Sequence, residues 1–131
     1  MLLRGPSGAG KSDLALRLIA GGGRFPGLAG EPVLIADDQV QLWVADGRLA
    51  VTAPEAIAGR LEIRGIGIVT VPHAREARLA LVIDLVPQAR VPRLPEPESV
   101  VLLGVSVPRL SLEAFSASTP VKVLAALAAC G

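Results

Sequence analysis

The segment Gly5-Pro6-Ser7-Gly8-Ala9-Gly10-Lys11-Ser12 matches the pattern G-x-x-x-x-G-K-[ST] without a gap. The residue types explain why that spacing can hold phosphate. Glycines let the backbone fold so that several N–H groups point inward at anionic oxygens. A helix starting directly after the loop adds the positive end of its dipole to the same anion. Lys11 can reach the β- and γ-phosphates of a nucleoside triphosphate, and the Ser12 hydroxyl is a ligand type for Mg²⁺. An ordinary glycine-rich turn is the bland alternative. It accounts less well for a strand end before the loop and an amphipathic helix after it.

Phosphate chemistry of this kind needs carboxylates for the metal and for the incoming nucleophile. Asp37-Asp38 follows the apolar run Val33-Leu34-Ile35-Ala36. Neighbouring strand residues face opposite ways, so one carboxylate can serve metal or scaffold while the other faces substrate. A carboxylate beside a hydroxyl can take its proton as the oxygen attacks phosphorus. A turn-initiating aspartate pair is the structural alternative, and on chemistry alone the two readings stand even. Asp84, in Leu81-Val82-Ile83-Asp84, has the look of a Walker B aspartate. Leu85-Val86 continue the apolar run past it, which favours a charge satisfied within the sheet. Glu62 and Arg64 alternate on one strand face and could both address a phosphate, although on the residues alone an exposed salt-bridging strand is the preferred reading.

These residues need elements to carry them. Met1 to Leu3 reads as a strand end, and Ser12 to Ala20 as a helix stopped by Gly21-Gly22-Gly23. Val33 to Ala36 is expected to be a short buried strand. Gln39 to Val44 and Leu49 to Thr52 form a hairpin turning at Asp46-Gly47. Pro54 to Gly59 is a short helix or turn, and Leu61 to Val71 a loop running into a strand. Ala77 to Val86 is a second buried strand. The proline-rich stretch Arg90 to Ser99 is a loop, and Val100 to Leu112 a strand broken at Pro108. Thr119-Pro120 is an N-cap and first-turn pair opening a final helix to Ala129. Strands alternating with helices give an α/β class with a central mixed β-sheet.

The chain has 131 residues, 51% of them hydrophobic, enough for one domain over 1–131 with a core of its own. Its formal net charge is +1 and its basic residues are scattered, so it lacks the electrostatic footprint of a nucleic-acid binder. Of the thirteen basic residues only Lys11 and Lys122 are lysine, so single arginines carry little weight without a motif around them. One cysteine, Cys130, excludes a disulfide within the chain and a cysteine-based metal cluster. No stretch approaches the roughly 20 apolar residues of a membrane span, and the expected location is the cytoplasm.

Three segments taken together resemble the catalytic domain of HPr kinase/phosphorylase. They are Gly5 to Leu16, Leu34-Ile35-Ala36-Asp37-Asp38, and Leu61-Glu62-Ile63-Arg64-Gly65-Ile66-Gly67-Ile68, in that order. The last is close to a family signature, and the resemblance covers most of the chain. It implies a single P-loop kinase domain that transfers phosphate from ATP to a serine of HPr, the phosphocarrier protein of the sugar phosphotransferase system. By resemblance, Lys11 and the loop hold ATP, Ser12 and Glu62 bind Mg²⁺, and Asp38 accepts the serine proton with Asp37 beside it. Arg64 and the following glycines shape the site, and Arg93 aligns with a catalytic arginine. The resemblance also implies a homo-oligomer, commonly a hexamer.

Three departures shape the expectation. The family histidine on the strand before the loop is absent, the first strand looks truncated, and His73 reads as a solvated loop residue. The compact form is similar to versions of some proteobacteria that lack the N-terminal domain. The proline-rich phosphorolysis loop ending Pro-Gly-Arg-Asn is replaced by Ser118-Thr119-Pro120-Val121-Lys122. Kinase activity is therefore expected and phosphorylase activity is not. Two other functions compete: a P-loop small-molecule kinase with Arg90 and Arg93 in a lid, and a non-catalytic ATP-binding regulatory module.

Overall fold

Three parallel strands and one antiparallel strand build the sheet that carries the phosphate loop. The computed structural model describes residues 1–21, 24–37 and 39–130. Element order is β1 (Leu2–Arg4), α1 (Lys11–Gly21), β2 (Gln41–Ala45), β3 (Arg48–Thr52), β4 (Arg60–Ile63), β5 (Gly67–Thr70), β6 (Glu76–Arg78), β7 (Val82–Leu85), β8 (Glu98–Leu102), β9 (Val105–Leu112) and α2 (Thr119–Cys130). The central sheet runs β1-β7-β9-β8, with β1, β7 and β9 parallel and β8 antiparallel to β9. The expected α/β class with a mixed central sheet is what forms.

Strand alternation splits the sheet's side chains between two cores. Leu3, Ile83, Leu85, Leu110 and Leu112 face the helices and pack with Leu14 and Leu18 of α1 and Val123 and Leu124 of α2. Leu2, Val82, Val105 and Val107 face the other way, onto Leu49 and Val51. Those two belong to a second antiparallel sheet, β2-β3-β6. Two helices, the mixed sheet and a small antiparallel sheet therefore lie in layers. Among the described residues no helix is long and apolar enough to cross a membrane.

Several elements differ from expectation for identifiable reasons. Val33 to Ala36 is not a strand. Only Leu34 sinks into the protein, Val33 stays 53% exposed, and a single bridge to His73 replaces a ladder. Leu61 to Val71 is a hairpin, β4-β5, turning at Arg64 to Ile66, not a loop entering one strand. Ala77 to Val86 splits in two: β6 pairs with β3 in the second sheet, and β7 enters the central one. Val100 to Leu112 is a hairpin reversing at Leu103-Gly104, both at positive φ (48° and 78°). Pro108 does not break it, because the ladder between β9 and β7 starts one residue later, at Arg109. Thr119 lies inside the first turn of α2 and is no N-cap; its hydroxyl donates to the Glu113 carbonyl at 2.6 Å. The Asp46-Gly47 hairpin, with φ of 52° and 73°, forms as expected. Gly22 and Gly23, expected to stop the first helix, lie outside the described residues, as do Asp38 and Gly131.

Candidate active site

Strand β1 ends at Arg4 and delivers the chain into the loop. The loop is closed by the Ala9 N–H donating to Pro6 O at 3.0 Å, and the first helical bond runs from Leu14 N–H to Gly10 O at 2.9 Å. The N–H groups of Lys11, Ser12 and Asp13 precede that bond, so helix geometry leaves them without intrahelical acceptors. They form the electropositive mouth that the sequence pattern predicts. Gly10 has φ +97°, and a Cβ there would stand 2.7 Å from the Ala114 Cβ and 2.9 Å from the Phe115 ring. Glycine is needed at this position for both conformation and space. The Lys11 ammonium donates to the Gly5 carbonyl at 2.6 Å and the Pro6 carbonyl at 3.1 Å, which holds it across the loop.

The acidic flank is built by Asp37. Its Oδ1 accepts the Ser12 hydroxyl at 2.8 Å, and its Oδ2 accepts the Glu62 backbone N–H at 3.0 Å. One carboxylate thus joins the first turn of α1 to β4. The segment carrying Asp37 is held by Leu34, buried, whose carbonyl accepts the Ala74 N–H at 2.8 Å. His73 beside it is exposed, and its ring covers Gly59. Glu62 and Arg64 both line the cavity that opens over the loop, together with Gly5, Gly8, Lys11, Ser12 and Asp37. That cavity measures about 1280 Å³, more than a typical single-ligand site holds. Arg93 is exposed in the stretch before β8 and is not among the residues lining it. Asp38 lies outside the described residues.

These groups suit Mg²⁺ by donor chemistry. A hydroxyl and one or two carboxylates are hard oxygen ligands, and Mg²⁺ takes few protein ligands when substrate phosphates supply the rest. Among the described residues no three His, Cys, Asp or Glu side chains converge as a self-sufficient metal cage. The site therefore fits a metal that arrives with phosphate.

Asp84 is satisfied within the sheet, as its place in an apolar run suggests. Arg4 Nε donates to Oδ1 at 2.7 Å and Arg4 Nη2 to Oδ2 at 2.9 Å, and Arg109 pairs with the same carboxylate. Arg109 also pairs with Glu98. The Arg4 hydrogen bonds, helped by those of Arg109, hold the Asp84 carboxyl below the usual aspartate range. Asp84 thus ties the strand entering the phosphate loop to its neighbour. Sequence reasoning discounted Arg4 and Arg109 as scattered arginines. The signal available was a charge of each sign set against an apolar run, Arg4 after Leu2-Leu3 and Asp84 inside Leu81 to Val86.

The other flank went unnoticed in the sequence. Glu113 accepts the N–H groups of Phe115 at 2.7 Å and Ser116 at 2.9 Å, and the Ser116 hydroxyl at 2.6 Å. The Ser116 hydroxyl, then the Phe115 N–H, hold the Glu113 carboxyl below its ordinary value. Arg17, paired with Asp13 one turn back in α1, donates to the carbonyls of Ala114 and Ser116. The loop after β9 is thereby fastened to the first turns of α1.

Comparison with known proteins gives the family and the fold. Residues 1–129 match the family model of the HPr serine kinase C-terminal domain. A protein of Geobacillus thermodenitrificans named HPr kinase/phosphorylase is 37% identical over 127 residues, covering 86% of this chain and 37% of that protein. One of the same name from Clostridium novyi is 44% identical over 72 residues, covering 55% of this chain and 20% of that protein. This chain spans well under half the length of the curated relatives it matches. The solved structure of the Hpr(Ser) kinase/phosphatase from Coxiella burnetii superposes with a TM-score of 0.78 at 24% identity, covering 95% of this chain and 83% of that one, and shares the fold. Matched over residues 1–129 and with a relative 37% identical over 127 residues, the chain belongs to the HPr serine kinase C-terminal domain family.

Proposed function

We propose that this chain is the catalytic module of an ATP-dependent serine kinase that phosphorylates HPr and so regulates the phosphotransferase system. The observation that carries the reading is the Ser12–Asp37–Glu62 link, which joins the phosphate loop to the family's signature strand. The relatives' shared name, HPr kinase/phosphorylase, supplies the acceptor.

In this reading the loop N–H groups and Lys11 hold the β- and γ-phosphates of ATP. Ser12 and Glu62 would hold Mg²⁺, with Asp37 orienting both; the ion would neutralise phosphate charge as the bond to the leaving oxygen lengthens. Asp38 takes the proton of the HPr serine hydroxyl as its oxygen attacks the γ-phosphorus. Lys11 stays on the ADP side and offsets the charge developing there. Arg64 faces the same cavity and can meet the transferring phosphoryl group. Arg93 stands away from the cavity and receives no step. Catalysis of this type is mostly positioning and charge neutralisation. The working direction is the kinase reaction, in the cytoplasm, in a homo-oligomer, commonly a hexamer in this family.

A mixed-acceptor assay tests the proposal. Mg-ATP labelled at the γ-phosphate is offered HPr, sugars and nucleoside monophosphates together. Label on HPr supports the kinase. Label on a small molecule identifies a small-molecule kinase, which the position of Arg90 and Arg93 off the cavity disfavours. Bound ATP with no transfer identifies a regulatory module. Asp38→Asn should keep ATP binding and lose transfer.

A further inference from the structure

The two flanks of the phosphate loop differ in chemistry. Ser12 turns toward Asp37 and the acidic side, whereas Asp13 and Arg17 turn toward the loop after β9. The acidic flank is where the metal and the acceptor hydroxyl belong in the proposed function. That leaves the opposite flank open to the nucleoside end of a nucleotide held by the loop.

What stands on that flank is Phe115. The chain has only two phenylalanines and one tryptophan. Phe25 borders the same cavity but is half-buried against the helix-side core, and Trp43 is half-buried on β2. Of the three, Phe115 alone is well exposed, at 63%, and it lines the same cavity as Lys11 and Ser12. Its ring tip lies against the Gly10 backbone, where a Cβ would come within 2.9 Å of Cζ. Exposure does not mean looseness here. The Glu113 carboxylate holds the backbone of Phe115 and Ser116, Arg17 holds two carbonyls of the same loop, and Thr119, buried, ties its far end to Glu113. The loop also leaves the carboxyl end of β9, and parallel sheets of this kind bind ligands in the crevice at those ends. A rigid aromatic surface beside a phosphate cradle suits the flat face of a base.

We infer that Phe115 is the stacking platform for the nucleobase of the nucleotide held by Gly5 to Ser12, with the Glu113–Arg17 clasp fixing its position. The inference rests on the reading of that segment as a triphosphate site. Stacking tolerates any base, because every base has a π-face, so the platform sets affinity for a nucleoside and not a choice of adenine over guanine.

The experiment compares binding of Mg-ATP and of Mg-bound inorganic triphosphate, which has no base, to the unchanged chain and to Phe115→Ala, Phe115→Leu and Phe115→Trp. The expected result is about tenfold weaker ATP binding for the Ala and Leu variants, triphosphate binding within about twofold of the unchanged chain, and ATP affinity restored in the Phe115→Trp variant. The indole that Phe115→Trp introduces should change its emission with ATP and not with triphosphate, over and above any change from Trp43 in the unchanged chain. Equal weakening of both ligands would mean that Phe115 only props Gly10, and overturns the inference. Unchanged ATP binding in the Ala variant also overturns it. Failure of the unchanged chain to bind either ligand overturns the phosphate-site reading itself, and the two failures are thus distinct.

Discussion

Arg4 grips both carboxylate oxygens of Asp84, at 2.7 and 2.9 Å, across two neighbouring parallel strands, one residue before the phosphate loop begins. Residues 80 positions apart are joined at the point where the chain leaves the sheet to form its cradle. With Arg109 on the same carboxylate, the position of Gly5 is fixed by three side chains from three strands.

Removing that carboxylate should be costly. Asp84→Ala leaves Arg4 and Arg109 facing each other with no anion between them. Urea unfolding should show a loss of about 1.5–3 kcal/mol, the range for hydrogen bonds to charged groups. Phosphate affinity should fall with it, because the loop's entry strand loosens.

The same carboxylate sets a pH dependence. Its folded-state pKa is depressed, so its stabilising contribution is complete above the ordinary aspartate value and disappears as pH falls through the depressed one. Glu113, also depressed, acts with the same sign. Stability measured by urea midpoint should therefore decline on acidification below the usual carboxylate range. Asp84→Asn should flatten part of that decline. A midpoint independent of pH below that range in the unchanged chain contradicts the assignment.

The glycines of the loop should separate into two classes. Gly8 has φ +83° with open space around it, whereas Gly10 combines φ +97° with Ala114 and Phe115 at close range. Gly8→Ala should carry only the left-handed strain of about 1–2 kcal/mol. Gly10→Ala should cost more and also displace Phe115, lowering ATP affinity beyond any effect on stability. Thermal midpoints and ATP titrations of the two variants give the comparison.

Asp37→Ala removes the acceptor for both Ser12 and Glu62. Affinity for ATP without metal should change little, since the loop N–H groups and Lys11 remain. The gain in affinity that Mg²⁺ confers should be lost. Titrations with and without Mg²⁺ separate the two.

The parts of this molecule set by local sequence were readable in advance. The phosphate loop, α1 and the Asp46-Gly47 hairpin follow from glycine placement, helical spacing and turn chemistry. What stayed hidden depends on partners far apart in sequence. Val33 to Ala36 has the composition of a strand, but the structure gives Leu34 a single bridge and no ladder. Ala77 to Val86 is one apolar run, yet two sheets divide it. Asp37 was visible as half of an acidic pair, but its link to Ser12 across 25 residues was not. The Glu113 clasp left no signal in the sequence, because the Glu113 carboxylate and the Arg17 guanidinium take backbone groups of the loop as partners. Resemblance supplied Glu62 where alternation alone favoured an exposed salt-bridging strand.

The central claim of the proposed function is that the γ-phosphate of ATP, bound by the loop and Lys11, goes to a serine of HPr. Its most direct test is transfer of labelled γ-phosphate from Mg-ATP to purified HPr, beside HPr whose target serine is changed to alanine, with Lys11→Ala as the inactive control. The account predicts label on the first HPr alone, and none with the control. Equal labelling of both HPr forms, or no labelling while ATP remains bound, would contradict it.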